Sequence, residues 1–257
     1  MLDIFVPNRK GSSRTRLGIL LAWAGGFLIW LQVFPPPIFP RPLDLFHAWM
    51  RLVDNGTLLP ALAASFILDL EAVAVSTALS LCVTYMVVLS ATRPVPEAVS
   101  KLRYLGFTGL TFAFGQVWSG HDLKVALLVF GMLTFSVTGM LGVIAEIPQE
   151  RYDYARTLRM GPWRTFYEVV VLGTADRMLD VIRQSGAIGW IMLTMVEGLV
   201  RSEGGLGVLL LNENRGLQLD TIYALQLTIF GVALVMDTFL ATLGDILFPY
   251  ARLTRNK

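Results

Sequence analysis

Charge is what this chain has least of. Of its 257 residues only 16% are Asp, Glu, Lys or Arg, against 54% hydrophobic, and mean hydropathy is +0.61. A soluble domain carries about 25% charge to wet its surface. The shortage therefore excludes an ordinary soluble enzyme and points to a polytopic membrane protein. A net charge of +2 leaves no basic field for nucleic acid. One cysteine, Cys82, excludes an intrachain disulfide framework and a four-cysteine metal site. Two histidines, His47 and His121, leave little for metal or acid–base chemistry.

What is present is a series of long uncharged runs. A spanning helix needs about 20 mostly apolar residues. Residues 17–40, 72–92, 104–121 and 125–145 carry no charge, 184–200 holds only Glu197, and 221–244 holds only Asp237. The expected fold is an all-α membrane protein of about six transmembrane helices, the third diluted by Gly106, Gly109, Gly115 and Gln116. Six crossings put both termini on one side. The N-terminus, 93–103, 151–183 and the C-terminus hold 16 of the 21 Lys and Arg. Arg41, Arg51, Lys124, Arg201 and Arg215 fall on the other side. The positive-inside rule then makes both termini cytoplasmic. The start is basic, but its long apolar run and Val33-Phe34-Pro35-Pro36-Pro37 do not read as a cleaved signal peptide.

A single transmembrane domain is expected over 17–250, between cytoplasmic segments 1–16 and 251–257. Residues 35–57 read as external. They comprise a stiff Pro-rich linker (35–42) and a short amphipathic helix (43–54) at the outer membrane surface. Asp69 and Glu71 are expected at the outer end of span two, and His121-Asp122 in a solvated outer turn. In span four Gly131, Ser136, Gly139 and Gly142 lie near one face, where small residues let helices pack closely. Met132, Met140, Met192 and Met195 read as apolar fillers, and no metal site is expected.

The cytoplasmic loop, 146–174, is punctuated for helix. Pro148 suits a first helical position and Glu150 a first turn. Gly161-Pro162 is a stop. The spacing predicts a helix over Gln149–Met160, then a second from Pro162 to near Gly173, with Thr174 capping span five. The first is charged and aromatic, with Glu150, Arg151, Tyr152, Asp153, Tyr154, Arg156 and Arg159. It suits docking of a soluble partner, or equally an ordinary interfacial helix.

The stretch from Asp153-Tyr154-Ala155-Arg156-Thr157-Leu158-Arg159 through Gly161-Pro162-Trp163 to Val169-Val170-Val171-Leu172 resembles the cytoplasmic Glu-Ala-Ala loop of bacterial ATP-binding-cassette (ABC) importer permeases. Trp190 with Glu197, the Gly204-Gly205-Leu206-Gly207 run, Met236-Asp237 and Phe248-Pro249-Tyr250 follow in the same order. Over roughly residues 35–250 the chain is most similar to the nitrate, sulfonate and taurine branch of that family. It departs from the motif at Asp153 for Glu, Tyr154 for Ala, Arg159 for Gly and Leu172 for Pro. Gly161-Pro162 is expected to make the turn in place of the motif Gly.

The resemblance implies a type I importer permease in the bacterial cytoplasmic (inner) membrane, with a coupling helix between spans four and five. It implies that this chain is not an enzyme and binds no cofactor, with ATP and Mg on partner subunits. The chain has no Gly-x-x-x-x-Gly-Lys-Ser/Thr phosphate loop, which agrees. The implied partners are ABC ATPase subunits, a second permease subunit in a homo- or heterodimer, and an external substrate-binding protein. The residues implied for ATPase docking are Glu150, Arg151, Tyr152, Asp153, Tyr154, Ala155, Arg156, Arg159 and Gly161. Those for the path or its gate are Glu197, Gly204, Gly205, Gly207 and Asp237. For Glu197 the alternative is a solvated place beside Arg201, and for the glycines a plain turn between helices. The alternative functions are a divergent, non-transporting scaffold and a self-sufficient secondary transporter.

Overall fold

The computed structural model describes residues 13–34, 36 and 39–249. The expected terminal segments 1–12 and 251–257, Tyr250, and Pro35, Pro37 and Ile38 of the Pro-rich linker lie outside the described residues. Every regular element among the described residues is helical: α1 Ser13–Val33, α2 Pro42–Asp54, α3 Leu58–Tyr85, α4 Pro94–Lys101, α5 Phe107–Phe114, α6 Gly120–Ala145, α7 Gln149–Thr157, α8 Pro162–Thr165, α9 Gly173–Leu199, α10 Leu206–Arg215 and α11 Leu219–Leu247. Among the described residues three helical stretches are long and apolar enough to cross a membrane: Leu58–Val88, Gly120–Ala145 and Leu219–Leu247. Helix α9 has 27 residues, about 40 Å at 1.5 Å per residue, but Asp176, Arg177, Asp180 and Arg183 charge its first half.

The core is built on small residues. Ser65, Asp69, Ala72, Val73, Ser76, Ser80 and Thr84 are buried along one stripe of α3, three or four apart, the spacing of one helix face. Their small side chains let α6 approach closely. Several buried hydroxyls bond back to their own helix, Ser76 to Val73 O at 3.1 Å, Ser80 to Thr77 O at 3.0 Å and Thr134 to Gly131 O at 2.9 Å. No polar group is then left over in the seam at those positions.

The contacts fix helix directions. Ser76 Oγ meets Met132 Sδ at 3.6 Å and Thr84 Oγ1 meets Met140 Sδ at 3.7 Å. The offset is the same in both pairs, so α3 and α6 run parallel. Ser136 donates to Ser185 Oγ at 2.7 Å. A Cβ at Gly131 would lie 2.6 Å from Met192 Sδ, and one at Gly139 would lie 2.8 Å from Val181. Helix α9 therefore runs antiparallel to α6, and Gly131, Ser136 and Gly139 of α6 face α9 of the same chain, while Gly142 has open space beside it. Helix α11 is antiparallel to α9, with Asp237 at Arg183 and Gly244 against Leu179.

Two parallel neighbours require a connection that travels back the length of the bundle. Residues 86–119 make it, but not as one helix. The expected third span, 104–121, contains only the eight-residue α5, bracketed by Gly106 and Gly115, and α6 already starts at Gly120. Phe107 packs against Gly131, and the Phe114 and Phe130 rings lie 5.7 Å apart, edge to face.

The expectations for residues 146–174 need five corrections. Pro148 caps α7 instead of opening it, and α7 ends at Thr157, not Met160. The turn is made by Arg159, at φ 52°. Met160 N–H bonds Ala155 O at 3.1 Å and Arg159 N–H bonds Arg156 O at 2.9 Å, the paired bonds of a Schellman stop. Gly161, at φ −68°, does not make the turn. Nor does a helix end near Gly173. Helix α8 passes into a π-helical segment, Phe166–Leu172, and on into α9. Thr174 does not cap there; its hydroxyl bonds Val170 O at 2.5 Å inside the continuing helix.

An L-residue held at positive φ costs roughly 1 kcal/mol that glycine avoids. Arg159→Gly is expected to stabilise the purified chain by about that amount, read as a raised thermal unfolding midpoint in detergent.

Candidate functional site

Two regions collect the polar and aromatic residues singled out above, one at each end of the bundle. At the end where α3, α6 and α10 begin, Glu197 is 1% exposed. Ser65 donates to its Oε1 at 2.6 Å and the Gly207 N–H donates to its Oε2 at 2.7 Å. The Leu206 N–H donates to Ser65 Oγ at 2.8 Å. Leu206 and Gly207 open α10, so a carboxylate from α9 and a hydroxyl from α3 satisfy the free N–H groups of a third helix. Lys124, 2% exposed, donates to Gly204 O at 3.1 Å, which closes the cluster with a cation.

The glycines have separate reasons. Gly204 and Gly205 sit at φ 76° and 117°. A Cβ at Gly205 would overlap the Glu197 carboxylate, and one at Gly207 would lie 2.9 Å from Glu197 Cβ. The turn is tight because the α10 backbone is pressed onto Glu197. The solvated alternative for Glu197 fails, since the side chain is buried and both carboxylate oxygens are hydrogen-bonded within the protein. Asp237 stands apart from this cluster, 2.6 Å from Arg183 Nε on α9.

Lys124 and Ser65 were not anticipated. Lys124 read as a loop residue between uncharged runs, yet it lies in α6. A lone cation at the edge of an apolar helix, in a chain with a lone acid in another, was the available signal. Asp69 is corrected too. It is 1% exposed and not at the outer end of its helix. Glu71 is at the surface, 2.9 Å from His121 Nε2, while His121 Nδ1 lies 3.4 Å from Glu203 Oε2. His121 thus belongs to the first turn of α6 and ties α3 to the loop before α10, where a solvated turn was expected.

At the other end, α7 lies across the entrance to α9. Ala155 is its buried contact, and Arg151 Nη1 donates to Gly173 O at 3.3 Å. Partial burial pushes the Tyr152 phenol up. Asp153 and Arg156 pair at 2.9 Å in the open. Glu168, 2.8 Å from Arg164, holds that guanidinium above its ordinary range. Tyr154 and Trp163 are 68% and 69% exposed. A groove of about 470 Å³ runs between α7 and the π-helical segment, walled by Glu150, Tyr154, Met160 and Val169. Of the expected docking residues, Glu150, Arg151, Tyr154 and Ala155 line this groove; Gly161 lies beyond the Arg159 turn. The Glu146–Arg177 pair at 3.1 Å ties the end of α6 to the start of α9.

Among the described residues no group of three or more His, Cys, Asp or Glu is placed to hold a metal ion. No family model matches the chain, and no curated protein matches it.

Two substitutions probe the Glu197 cluster. Glu197→Gln replaces a charged acceptor by a neutral one and is expected to cost about 1–3 kcal/mol of stability. Gly205→Ala adds a clash to a forbidden φ and is expected to cost more, of the order of 3 kcal/mol or above. Thermal unfolding followed by tryptophan fluorescence checks both, and Gly204→Ala, with open space around it, should be the mildest of the three.

Proposed function

We propose that this chain is the permease subunit of an ABC importer for a small solute, spanning the bacterial inner membrane and driven by a separate ATPase. The observation that carries the reading is the short exposed helix α7. It is held between α6 and the α8–α9 rod, and its turn residue, Arg159, takes the left-handed conformation at the position aligned with the family's glycine. The register drawn from sequence thus coincides with a backbone need that glycine ordinarily meets.

Further support comes from the helix directions. Parallel α3 and α6, with a broken return between them, are what six crossings with both termini on the α7 side require. In this reading the ATPase subunits grip α7 through Tyr154, Arg159 and the groove beside them. Their closure on ATP moves α7, and the Arg151–Gly173 bond passes the displacement to the start of α9. The π-helical segment is a place where a helix tolerates altered winding, so the rod can adjust there without breaking. At its far end α9 carries Glu197, so the same motion loads or releases the clasp on α10 beside the outer mouth. The second permease subunit completes the path, and an external binding protein selects the solute.

Affinity purification through a tag on this chain, expressed with its neighbouring genes, followed by native mass spectrometry tests the reading. Two ATP-binding chains per complex are expected, with either two copies of this chain or one beside a different membrane chain. A complex with no ATP-binding chain rejects the proposal. Tyr154→Asp with Arg159→Glu is expected to lower recovery of the ATPase at least about tenfold, a loss of 1.4 kcal/mol or more, while membrane insertion is unchanged.

A further inference from the structure

We propose that Asp69 is a proton-binding site within the membrane, occupied in the conformation seen here and emptied when α9 shifts against α3. Asp69 lies 11 residues into α3 and is 1% exposed. Neither carboxyl oxygen has a hydrogen-bond partner among the described residues, and the same is true of Trp190 Nε1. Its neighbours are Met132 of α6 and the bare backbone of Gly189 on α9; a Cβ at residue 189 would lie 2.9 Å from Asp69 Oδ1 and overlap Met132 Cε.

The surrounding charges are engaged elsewhere. On α6, Lys124 bonds Gly204 O. On α9, Glu197 is held by Ser65 and Gly207, and Arg183 by Asp237. On α3, Glu71 meets His121. On α10, Glu213 and Arg215 sit at the far end from the Gly205 turn. An ionised carboxylate with no cation and no donor in such a place is among the costliest states a side chain can take. The neutral acid avoids that cost, so the group the site holds is a proton.

The site has a seal. Gly189 closes it, and Gly189 belongs to the rod that runs without interruption from Pro162 to Leu199. A small rotation or slide of α9 parts the Gly189 contact and lets water reach the acid. The O–H bond then breaks, its electron pair stays on the carboxylate, and the proton passes to water. The reverse movement requires the proton back. The buried acid itself stands apart from the importer reading, which supplies only the source of the movement through α7.

Infrared spectroscopy of the full chain in lipid vesicles, with carbon-13 label in aspartate, tests the site directly. At about pH 7 a labelled carbonyl band of a neutral carboxylic acid is expected, because water-exposed aspartates ionise near pH 4. The band should vanish in Asp69→Asn, which mimics the neutral acid in shape. It should also vanish in Gly189→Ala, which pushes α9 off the seal. A wild-type spectrum without the band at about pH 7, or with a band that is lost once the pH passes about 5, overturns the proposal without recourse to any variant. A band that persists in folded Asp69→Asn assigns the proton elsewhere and overturns it too. A band that persists in folded Gly189→Ala removes the role of α9. Loss of ATPase binding in the double α7 variant leaves the band untouched, which separates this site from the importer reading.

Discussion

A helix that starts inside a bundle exposes backbone N–H groups where neither a preceding turn nor water can meet them, and α10 starts against α9. The structure meets that constraint with one carboxylate. Glu197 takes the Gly207 N–H, and Ser65 of α3 takes the Leu206 N–H while donating to Glu197. Lys124 of α6 reaches the same turn. Four helices thereby meet at one turn. The glycines around it follow as consequences, since the carboxylate sits where a side chain at residue 205 would begin. A buried charge is tolerable here because donors from backbone and side chain surround it.

The rest of the bundle is held by closeness. Small residues on α3 and α6 let backbones approach, methionine sulfurs fill the seams, and several buried hydroxyls are bonded to their own helices while Ser136 and Ser185 bond across α6 and α9. That arrangement favours van der Waals contact, which inside a membrane replaces the hydrophobic effect as the cohesive force. With α3 and α6 parallel, the chain must return along the bundle between them. The return is broken into α4, α5 and turns, which pack on α6. Helix α11 stands at the edge: 11% of its apolar window is buried in this chain, against 50% for α6. Most of its apolar surface is exposed in this chain.

The α8–π–α9 rod connects the two ends. It begins under α7, where the Tyr85 and Phe166 rings meet at 5.6 Å, passes Gly189 beside Asp69, and ends at Glu197. The rod and α6 both run from beside α7 to the opposite end of the bundle. The proposed transport role and the proposed proton site both rest on that geometry, one at the ends of the rod and the other at its middle.

By itself the sequence determined an all-helical chain with apolar helices of membrane-spanning length and roughly placed α1, α2, α6, α7 and α11, because a hydrocarbon solvent forces long uncharged runs into helices whatever their neighbours; α3 starts at Leu58, well before the uncharged run that begins at 72. It also marked α7, Glu197 and the three glycines of the turn. Tertiary structure alone decided the rest. It set the left-handed turn at Arg159 instead of Gly161, since the bonds of the α7 stop outweigh local preference. It merged Pro162–Leu199 into one rod, erased the third uncharged run as a single helix, and set α9 against Gly131, Ser136 and Gly139 of α6. It buried Asp69 and Lys124, which the alternation of charge had put at the surface. Depth and partnership depend on how parallel helices are staggered against each other, and that offset is a property of packing between segments more than fifty residues apart.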